Sequence, residues 1–506
     1  MQQDYNPRRS RSSSFHSSTD ADVDDYLLPR ARSPLSEKRP PYTRRRHIRY
    51  VLLALLVLVT AVLAWTWLFF QGRVGLAEPI LRALAKESDL PPLYAEYHQL
   101  ELSLPQHNLN SSTSDGQQVK YLWIANHIRG NGWGNAMQDL LLNAYLAYRA
   151  GRSFVFNNYT WSEGVSDYSL YNFKPIPSRI PLTALIKGPI VGAPFAADSS
   201  APRAVVKDFW DLVCPNTTVI QNVDVLYSIE TDPTTTSSTL KRWLEVLDAI
   251  EDPCVEVAQD PRQIFDIWLL QDASRLLDEW PAFSQSPMLT EFGWSPLVEL
   301  AFDMNREMFA PSSVFQPYLS STPDSMNSAE RYSLVPGLMA VHIRRGDFVR
   351  HCRRIADWRA KFFGYNDFPS FPDKLAIPED ASQETSAELY RTHCFPEIPE
   401  IVQKIEGVRR SEAGQGIENI YIMTNGPSSW TADLKNALRS SSEWNRITSS
   451  RDILVNHEQE YVKQAVDILI GQRAQVFIGN GFSSMTGQVS MLRVANGFAP
   501  NRTRFW

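Results

Sequence analysis

The stretch Val341-His342-Ile343-Arg344-Arg345-Gly346-Asp347 decides the fold, because it places charged side chains where an apolar strand ends. The run at residues 337–341 is short, apolar and preceded by a proline, so it predicts a buried strand. In open parallel α/β sheets, ligands bind just beyond the carboxyl ends of the strands. The sequence therefore predicts a binding site immediately after this strand.

Three side chains are predicted to reach that site, namely His342, Arg344 and Arg345. A guanidinium matches the oxygens of a phosphate and stays charged at any relevant pH. The two arginines, closed by Asp347, therefore predict a site for a nucleotide diphosphate. The alternative is a solvated basic turn that continues through Arg350, Arg353 and Arg354.

The N-terminal part predicts the compartment. Residues 51–70 contain no charge and are long enough to cross a bilayer as one helix. Basic residues cluster before this span and are sparse after it, so residues 1–50 are predicted to be cytosolic and the remainder lumenal. The first fifty residues are rich in Ser, Arg and Pro, which predicts a disordered tail. We expect a single-pass type II protein of the Golgi or ER membrane, held by a signal anchor.

Two features agree with a lumenal body. N-glycosylation acceptor tripeptides lie beyond the span at Asn110, Asn158, Asn216 and Asn501. All four cysteines also lie there, where disulfides persist, and four cysteines allow three pairings. We expect each cysteine to pair with its neighbour in sequence, because each bond then closes one surface insertion. The expected bonds are Cys214–Cys254 and Cys352–Cys394.

The charge balance narrows the class of partner. Residues 1–50 hold 11 of the 50 Lys and Arg residues and 6 of the 56 Asp and Glu residues, so the rest carries 39 against 50, a net charge of −11. An acidic body argues against nucleic acid as a partner. The basic cluster around Arg344 is an exception within that body, which favours a specific anion site.

Strand and helix patterns alternate in two parts of the chain. In the first part, the patterns predict a strand at 121–125, a helix at 136–149 and a strand at 153–156. In the second, they predict strands at 337–341, 419–423 and 475–478 and helices at 430–440, 458–473 and 484–496. Between the two parts, residues 159–260 look irregular, and helical patterns return at 260–280 and 296–309. This alternation predicts two parallel-sheet α/β domains that face one another.

A glycine-rich loop joins the first strand to the first helix. Gly130, Gly132 and Gly134 could let the backbone approach a diphosphate or a sugar at the helix N-terminus, or could simply form a tight turn. The spacing is not G-x-G-x-x-G and the second strand ends without an acid, which argues against a dinucleotide cofactor. His127, at the end of the first strand, is a candidate base, and the alternative is a structural histidine.

A second turn of small residues, 479–484, precedes the last helix. Ser483, Ser484 and free backbone N–H groups could bind phosphate there, and ordinary helix capping is the alternative. Asp467 could accept hydrogen bonds from a base or ribose, unless it lies on a solvated helix face. Thr424, at the end of another strand, could line the pocket or belong to a turn.

Three segments resemble, in chain order, the motifs of the GDP-fucose fucosyltransferase superfamily. They are residues 342–348, 421–425 and 477–484. The superfamily includes the protein O-fucosyltransferases and the α1,2- and α1,6-fucosyltransferases. The loop at 130–138 resembles the N-terminal Gly/Asn loop of that family, with Asn135 matching its asparagine.

The resemblance implies a GT-B-like fold, with two facing Rossmann-like domains behind the membrane helix. It also implies GDP-fucose as the donor and transfer with inversion, without an essential metal. The expected division is a stem at 71–118, an N-terminal domain on the acceptor side at 119–332, and a C-terminal domain on the nucleotide-sugar side at 333–506.

The resemblance also assigns roles to residues. His342 would contact the nucleoside, Arg344 the β-phosphate, and Ser483 and Ser484 the phosphates, with Asn480 in the same turn. The sequence departs from the family at two places in these motifs. Asn425 stands where the family often has Asp, and Met485 stands where an aromatic residue is common.

No Asp-x-Asp pair follows the membrane span, so the sequence lacks the pairing that usually holds a metal on a sugar-nucleotide diphosphate. The sequence leaves three candidates for the base that takes the acceptor's proton: Asp139, His127 and Asp347. The acceptor would be a protein or glycan hydroxyl. The alternative function is a membrane-anchored, catalytically inactive glycan-binding protein, lectin-like, with the same fold.

Overall fold

The computed structural model describes residues 60, 90–108, 118–196, 199–226, 235–259, 262–311, 316–378 and 380–506. The predicted cytosolic tail, Asn110, and the predicted span apart from position 60 lie outside these residues, so those predictions remain untested. Among the described residues, no helix has the length and apolar character needed to cross a membrane.

The elements of the first part come in this chain order: α1 Ala95–Leu102, β1 Tyr121–Ile124, α2 Trp133–Arg149, β2 Ser153–Phe156, β3 Tyr159–Thr160, β4 Tyr168–Tyr171, β5 Lys174–Pro177, β6 Arg179–Ile180, β7 Ile186–Lys187, β8 Val205–Val206, α3 Lys207–Val213, β9 Thr218–Ile220, α4 Asn222–Leu226, α5 Thr236–Asp248 and β10 Cys254–Val257. Five of these strands form a parallel sheet in the order β8-β2-β1-β10-β9. We call it the first sheet.

The interpretation of residues 159–260 as irregular is wrong. Three strands of the first sheet, β8, β9 and β10, lie in that range, and β10 pairs directly with the central strand β1. These strands have two to four residues, which is too short to show a periodic pattern in the sequence.

The linking elements are α6 Ile267–Leu270, α7 Ala273–Leu276, α8 Trp280–Phe283, α9 Pro287–Thr290, β11 Gly293–Trp294, α10 Pro296–Phe309 and α11 Ser328–Arg331. The helix predicted at 296–309 is confirmed at both ends. The helix predicted at 260–280 is instead a series of single turns. The side chains of Asp266 and Asp272 each accept a backbone N–H two or three residues ahead, and so start new helices inside the run.

The elements of the second part are β12 Val335–Ile343, α12 Phe348–Asp357, α13 Gln383–Cys394, α14 Ile398–Arg409, β13 Asn419–Thr424, α15 Ser428–Ser441, β14 Arg446–Ser449, α16 His457–Glu460, α17 Lys463–Arg473, β15 Ala474–Gly479, α18 Ser484–Ala495 and β16 Thr503–Phe505. All five strands are parallel, in the order β14-β13-β12-β15-β16. We call this the second sheet. The prediction of α/β architecture with two parallel sheets is confirmed.

Alternation along β12 sorts its side chains between two cores. Met339, Val341 and Ile343 pack in a core with residues of α14 and α15. Leu338 and Ala340 pack in the other core, with residues of α17 and α18. Since side chains on a strand alternate between faces, His342 shares the face of Leu338 and Ala340. This assignment fixes where His342 can act.

Helix α10 packs on the second sheet, although it precedes the domain boundary predicted at 332/333. The rings of Phe309 and Tyr421 meet edge to face at 5.6 Å. The Asn305 side chain exchanges two hydrogen bonds with the backbone of Leu454, each 2.6 Å long. The division at 332/333 therefore remains a prediction, and it does not follow the packing of α10.

The described part of the predicted stem, residues 90–108, lies against the body. Tyr94 is buried and its hydroxyl donates to the backbone oxygen of Glu458 at 2.6 Å. The buried carboxylate of Glu101 accepts the backbone N–H of Thr183 at 3.0 Å, and burial raises its pKa to about 7. These residues form part of the folded unit rather than a spacer.

Both predicted disulfides are confirmed. Cys214 is bonded to Cys254, and Cys352 to Cys394. The second bond joins α12 to α13 beside the carboxyl end of β12. The first does not close a surface insertion, because Cys254 starts the interior strand β10.

Candidate functional site

The loop after β12 carries the side chain on which the predicted anion site depends. Arg344 is about a quarter exposed, and its Nη2 lies 3.2 Å from the carboxylate of Asp347. Its guanidinium lies over the ring of Phe348 at 4.8 Å. The buried Nε has no hydrogen-bond partner among the described residues. It is therefore the partly exposed end of the guanidinium, rather than Nε, that Arg344 presents at the carboxyl edge of the second sheet.

Arg345 points the other way, so the prediction that it binds substrate is not supported by its position. Its side chain is buried between the rings of Phe395 and Trp430, each 4.2 Å from the guanidinium carbon. One of its nitrogens donates to the backbone oxygen of Pro396. Burial lowers its pKa to about 10, which leaves it charged at neutral pH. Arg345 holds the loop after α13 against the sheet edge.

His342 does not emerge beyond the strand as predicted, because β12 continues to Ile343. Its ring is buried on the α18 side, and Nδ1 lies 2.8 Å from the hydroxyl of Thr486. Burial, with a smaller contribution from Arg344, lowers its pKa to about 3, so the ring is neutral. His342 therefore ties β12 to the first turn of α18.

The amide of Asn425 joins the loops after β12 and β13. Its oxygen accepts the backbone N–H of Arg345 at 2.8 Å, and its Nδ2 lies 3.1 Å from Asp347 Oδ1. Asp347 is exposed beside Arg344. The hydroxyl of Thr424 donates to the backbone oxygen of Ile343 and accepts the N–H of Gly426, so Thr424 serves the turn.

The small-residue turn after β15 leads directly into α18. Ser483 and Ser484 begin this helix, and no side chain among the described residues caps it. The turn itself is held by Asn480, whose fully buried amide donates to the backbone oxygen of Cys394 at 2.7 Å and accepts the N–H of Phe482 at 3.0 Å. Asn480 is therefore structural, whereas the helix start keeps its first N–H groups available.

The glycine loop and the serine turn, which are 350 residues apart, meet in the structure. A side chain at Gly134 would come within 2.6 Å of the backbone of Ser484, so only glycine allows this approach. The side chain of Gln138, one turn further along α2, donates to the backbone oxygen of Ser484 at 3.0 Å. Gly132 is exposed at the N-cap of α2, and the Asn135 side-chain oxygen is buried without a partner in the described residues.

This juxtaposition brings two helix N-termini, those of α2 and α18, to one place. Both ends carry partial positive charge and unpaired N–H groups, which favour an anion. β12 and β15 are adjacent parallel strands, and neighbouring strands lie about 4.8 Å apart. Arg344 and the serine turn therefore leave the same sheet edge side by side.

Asp467 lies inside the protein rather than at the edge. Its carboxylate accepts the hydroxyls of Tyr421 at 2.6 Å and Ser450 at 2.9 Å. Burial raises its pKa to about 6. Asp467 therefore ties α17 to β13 and to the segment after β14. This geometry does not support the prediction that it contacts a base or ribose.

Two of the candidate bases lie at the first sheet. The buried Asp139 accepts the backbone N–H of Ile128 at 2.8 Å, and burial raises its pKa to about 7. His127 Nδ1 donates to the backbone oxygen of Ile124 at 2.9 Å, and its other ring nitrogen accepts Arg129 Nε at 3.2 Å. Burial lowers its pKa to about 4, so His127 is neutral and its lone pair is already engaged.

Sequence reasoning missed the residues that hold the site together. Thr486, Gln138 and Asn366 connect elements far apart in the chain, and Asn366 Nδ2 donates to the backbone oxygens of Gly481 and Ser483. The spacing of residues within a single segment does not predict these contacts, because each one joins segments that are distant in the sequence. In the part of the chain that the structure describes, no group of three or more His, Cys, Asp or Glu side chains is placed to hold a metal ion.

Comparison with known proteins adds one match of sequence. Residues 299–496 match the family model described as GDP-fucose protein O-fucosyltransferase, which confirms the resemblance predicted from the motifs. No curated protein matches the chain. Among solved structures, the chain is similar to POFUT1 in complex with GDP, with 15% identity over 77% of this chain and 98% of that one and a TM-score of 0.41. The chain is also similar to POFUT1 in complex with GDP-fucose, with 14% identity over 76% of this chain and 98% of that one and a TM-score of 0.40.

Proposed function

We propose that this chain is a fucosyltransferase that transfers fucose from GDP-fucose to a protein or glycan hydroxyl, because residues 299–496 carry the domain of the GDP-fucose protein O-fucosyltransferase family. The observation that carries the proposal is where this domain falls. It contains Arg344, Asn425 and the Ser483–Ser484 turn, which lie together at the carboxyl edge of the second sheet.

We further propose the GT-B arrangement for residues 119–506. Two five-stranded parallel sheets support it. The contact between Gly134 on α2 and Ser484 on α18 also supports it. This contact brings the glycine loop of the first sheet to the carboxyl edge of the second sheet, where Arg344 lies. In this arrangement the donor nucleotide binds at the second sheet and the acceptor approaches from the first.

The chemistry assigned to this edge is stabilisation of a leaving diphosphate. As the bond from fucose to GDP breaks, negative charge develops on the β-phosphate. The partly exposed guanidinium of Arg344 and the first N–H groups of α18 would receive that charge, without a metal in the proposed mechanism. Loss of one such preorganised donor costs on the order of 3 kcal/mol, or about a hundredfold or more in rate.

Inversion requires the acceptor hydroxyl to attack directly and to lose its proton. Of the three candidate bases, Asp347 alone is exposed at the edge that carries Arg344. Asp139 is only 1% exposed on the buried side of α2, so it cannot touch an acceptor from its observed position. We therefore assign to Asp347 the role of the base that takes the proton from the acceptor hydroxyl.

The proposed location is a Golgi or ER membrane, as a type II protein with its catalytic part in the lumen. The apolar run at 51–70 supports this location, as do the two disulfides, which persist in oxidising compartments. Of the acceptor tripeptides for glycans, Asn216 and Asn501 are exposed and Asn158 is half-buried.

Calorimetric titration of the full chain with GDP tests the proposal. Wild type should bind, and Arg344→Ala should lose binding, whereas Arg350→Ala, which removes an exposed charge from α12, should not. With labelled GDP-fucose, Arg344→Lys should lose about a hundredfold in turnover, because a point charge cannot replace the fork. Wild-type turnover in Arg344→Lys would remove Arg344 from the mechanism. A chain that binds glycan but not GDP would favour the lectin-like alternative.

A further inference from the structure

A second concave surface lies outside the family-matched residues, at the carboxyl edge of the first sheet. The loops after β1 and β10 and the segment after β3 enclose a groove of about 810 Å³, including its open mouth. Of the ten described residues that line it, seven carry polar or charged side chains. The residues on which the inference depends are Asn126, Arg129, Trp161, Glu163, Gln259 and Gln263.

The groove presents fixed hydrogen-bonding groups of both kinds. Asn126 is 3% exposed, its Nδ2 donates to the backbone oxygen of Arg262 at 2.7 Å, and its Oδ1 has no partner among the described residues. Arg129 is held by Glu163 and by the backbone oxygen of Ala125, at 2.5 Å for the latter.

Trp161 adds a flat apolar surface to this polar groove. Its indole is half-buried and meets the ring of Tyr171 edge to face at 5.4 Å, which fixes its orientation. A rigid aromatic ring next to oriented amides suits a ligand with one apolar face and many hydroxyls.

We propose that this groove is a carbohydrate-binding site. Sugar hydroxyls both donate and accept, so they can donate to the Glu163 carboxylate while accepting from Arg129. The C–H face of a pyranose ring covers an indole. Among the ten described lining residues, Trp161 carries the single indole and seven of the others are polar or charged, which suits a ring with one apolar face and many hydroxyls.

The groove is also within reach of the donor edge. Gly130 lines the groove, and Gly134 contacts the backbone of Ser484. Four residues of extended chain span at most about 14 Å, so the groove and the serine turn are neighbours. On the proposed function, the bound sugar is the acceptor or the part of the acceptor next to the reacting hydroxyl. The binding itself does not depend on that function.

Saturation-transfer NMR of the full chain with methyl glycosides of glucose, galactose, mannose and N-acetylglucosamine tests the site. At least one glycoside should show transfer from the protein. Trp161→Ala should weaken its affinity by about tenfold, the loss expected for one aromatic contact. Trp268→Ala is the matched control, because Trp268 is a 63% exposed indole that does not line the groove. Glu163→Gln is the second groove variant, for use if Trp161→Ala fails to fold. The Glu163 side chain is exposed, so its replacement should leave the fold intact while weakening glycoside binding.

The outcomes separate this inference from the proposed function. The carbohydrate site is overturned if none of the four glycosides gives a saturation-transfer signal, or if the signal is unchanged in both groove variants. It is also overturned if an unglycosylated Ser/Thr peptide binds and competes with the glycosides. GDP affinity should be unchanged in Trp161→Ala. Wild type that binds a glycoside but not GDP would reject the transferase and keep the groove, whereas the reverse result would keep the transferase and reject the groove.

Discussion

Gly134→Ala tests the contact between the two halves of the site. The added Cβ would lie 2.6 Å from the backbone carbon of Ser484 and 2.7 Å from the backbone nitrogen of Met485. Ordinary contact begins at 3.4 Å, so α2 and α18 must separate by about 0.8 Å. Because the obstacle is backbone, no rotamer change can relieve it.

The stability and activity effects of this change should differ in size. Overpacking costs about 1–3 kcal/mol, while alanine gains up to about 1 kcal/mol over glycine in a helix, so the free energy of unfolding should fall by about 0–3 kcal/mol. A displacement near 1 Å at a reacting centre can cost about a hundredfold in rate. We therefore expect a folded enzyme with fucosyl transfer reduced by about a hundredfold.

The assay measures thermal unfolding and transfer from labelled GDP-fucose on the same preparations. Gly407→Ala is the control, because Gly407 is exposed within α14 and a Cβ there meets nothing within 4 Å. It should raise stability by about 0.5–1 kcal/mol without changing transfer. Transfer within twofold of wild type in Gly134→Ala would refute the reasoning that this contact positions the site.

Three further predictions concern the buried framework. Burial raises the pKa of Asp139 from 3.8 to about 7, so between about pH 4 and pH 7 the folded state binds a proton that the unfolded state does not, and wild-type stability should fall as pH rises through this range. In thermal melts, Asp139→Asn should flatten this dependence of stability on pH. An unchanged dependence would contradict the raised pKa. Removing the Cys352–Cys394 bond by a double serine change should cost about 4 kcal/mol by the chain-entropy relation for its separation of 42 residues, measured by urea unfolding, and a loss below 1 kcal/mol would count against it. Arg493 is fully buried, with its guanidinium donating to the backbone oxygens of Gly471, Gln472, Ala474 and Arg502, so Arg493→Met should cost on the order of 3 kcal/mol or more, and a stable variant would be inconsistent with that network.

Regular elements with a strong pattern could be predicted from the sequence. The apolar runs at 419–423 and 475–478 are strands, and the helical pattern at 296–309 is α10. The cysteine pairing also followed from order along the chain. These features depend on local composition, which is what a sequence displays.

The orientation of side chains could not be predicted in the same way. Arg344 and Arg345 are adjacent and identical in type, yet one is partly exposed at the edge and the other lies between two rings. That difference depends on Phe395 and Trp430, which come from distant segments. For the same reason, the groove formed by Asn126, Arg129 and Trp161 left no recognisable spacing.

Helix α10 bears on how this protein could be divided into independent pieces. Asn305 bonds to the backbone of Leu454, which follows β14, and Phe309 packs on Tyr421 of β13, so a cut at the predicted boundary 332/333 would separate the second sheet from a helix that covers it. The same helix also binds the first part of the chain, because the hydroxyl of its cap Ser295 donates to the backbone oxygen of Ala184 at 2.7 Å and Glu299 lies 3.2 Å from Lys187 Nζ. Exchange of either part between relatives would therefore have to preserve the contacts that α10 makes on both sides.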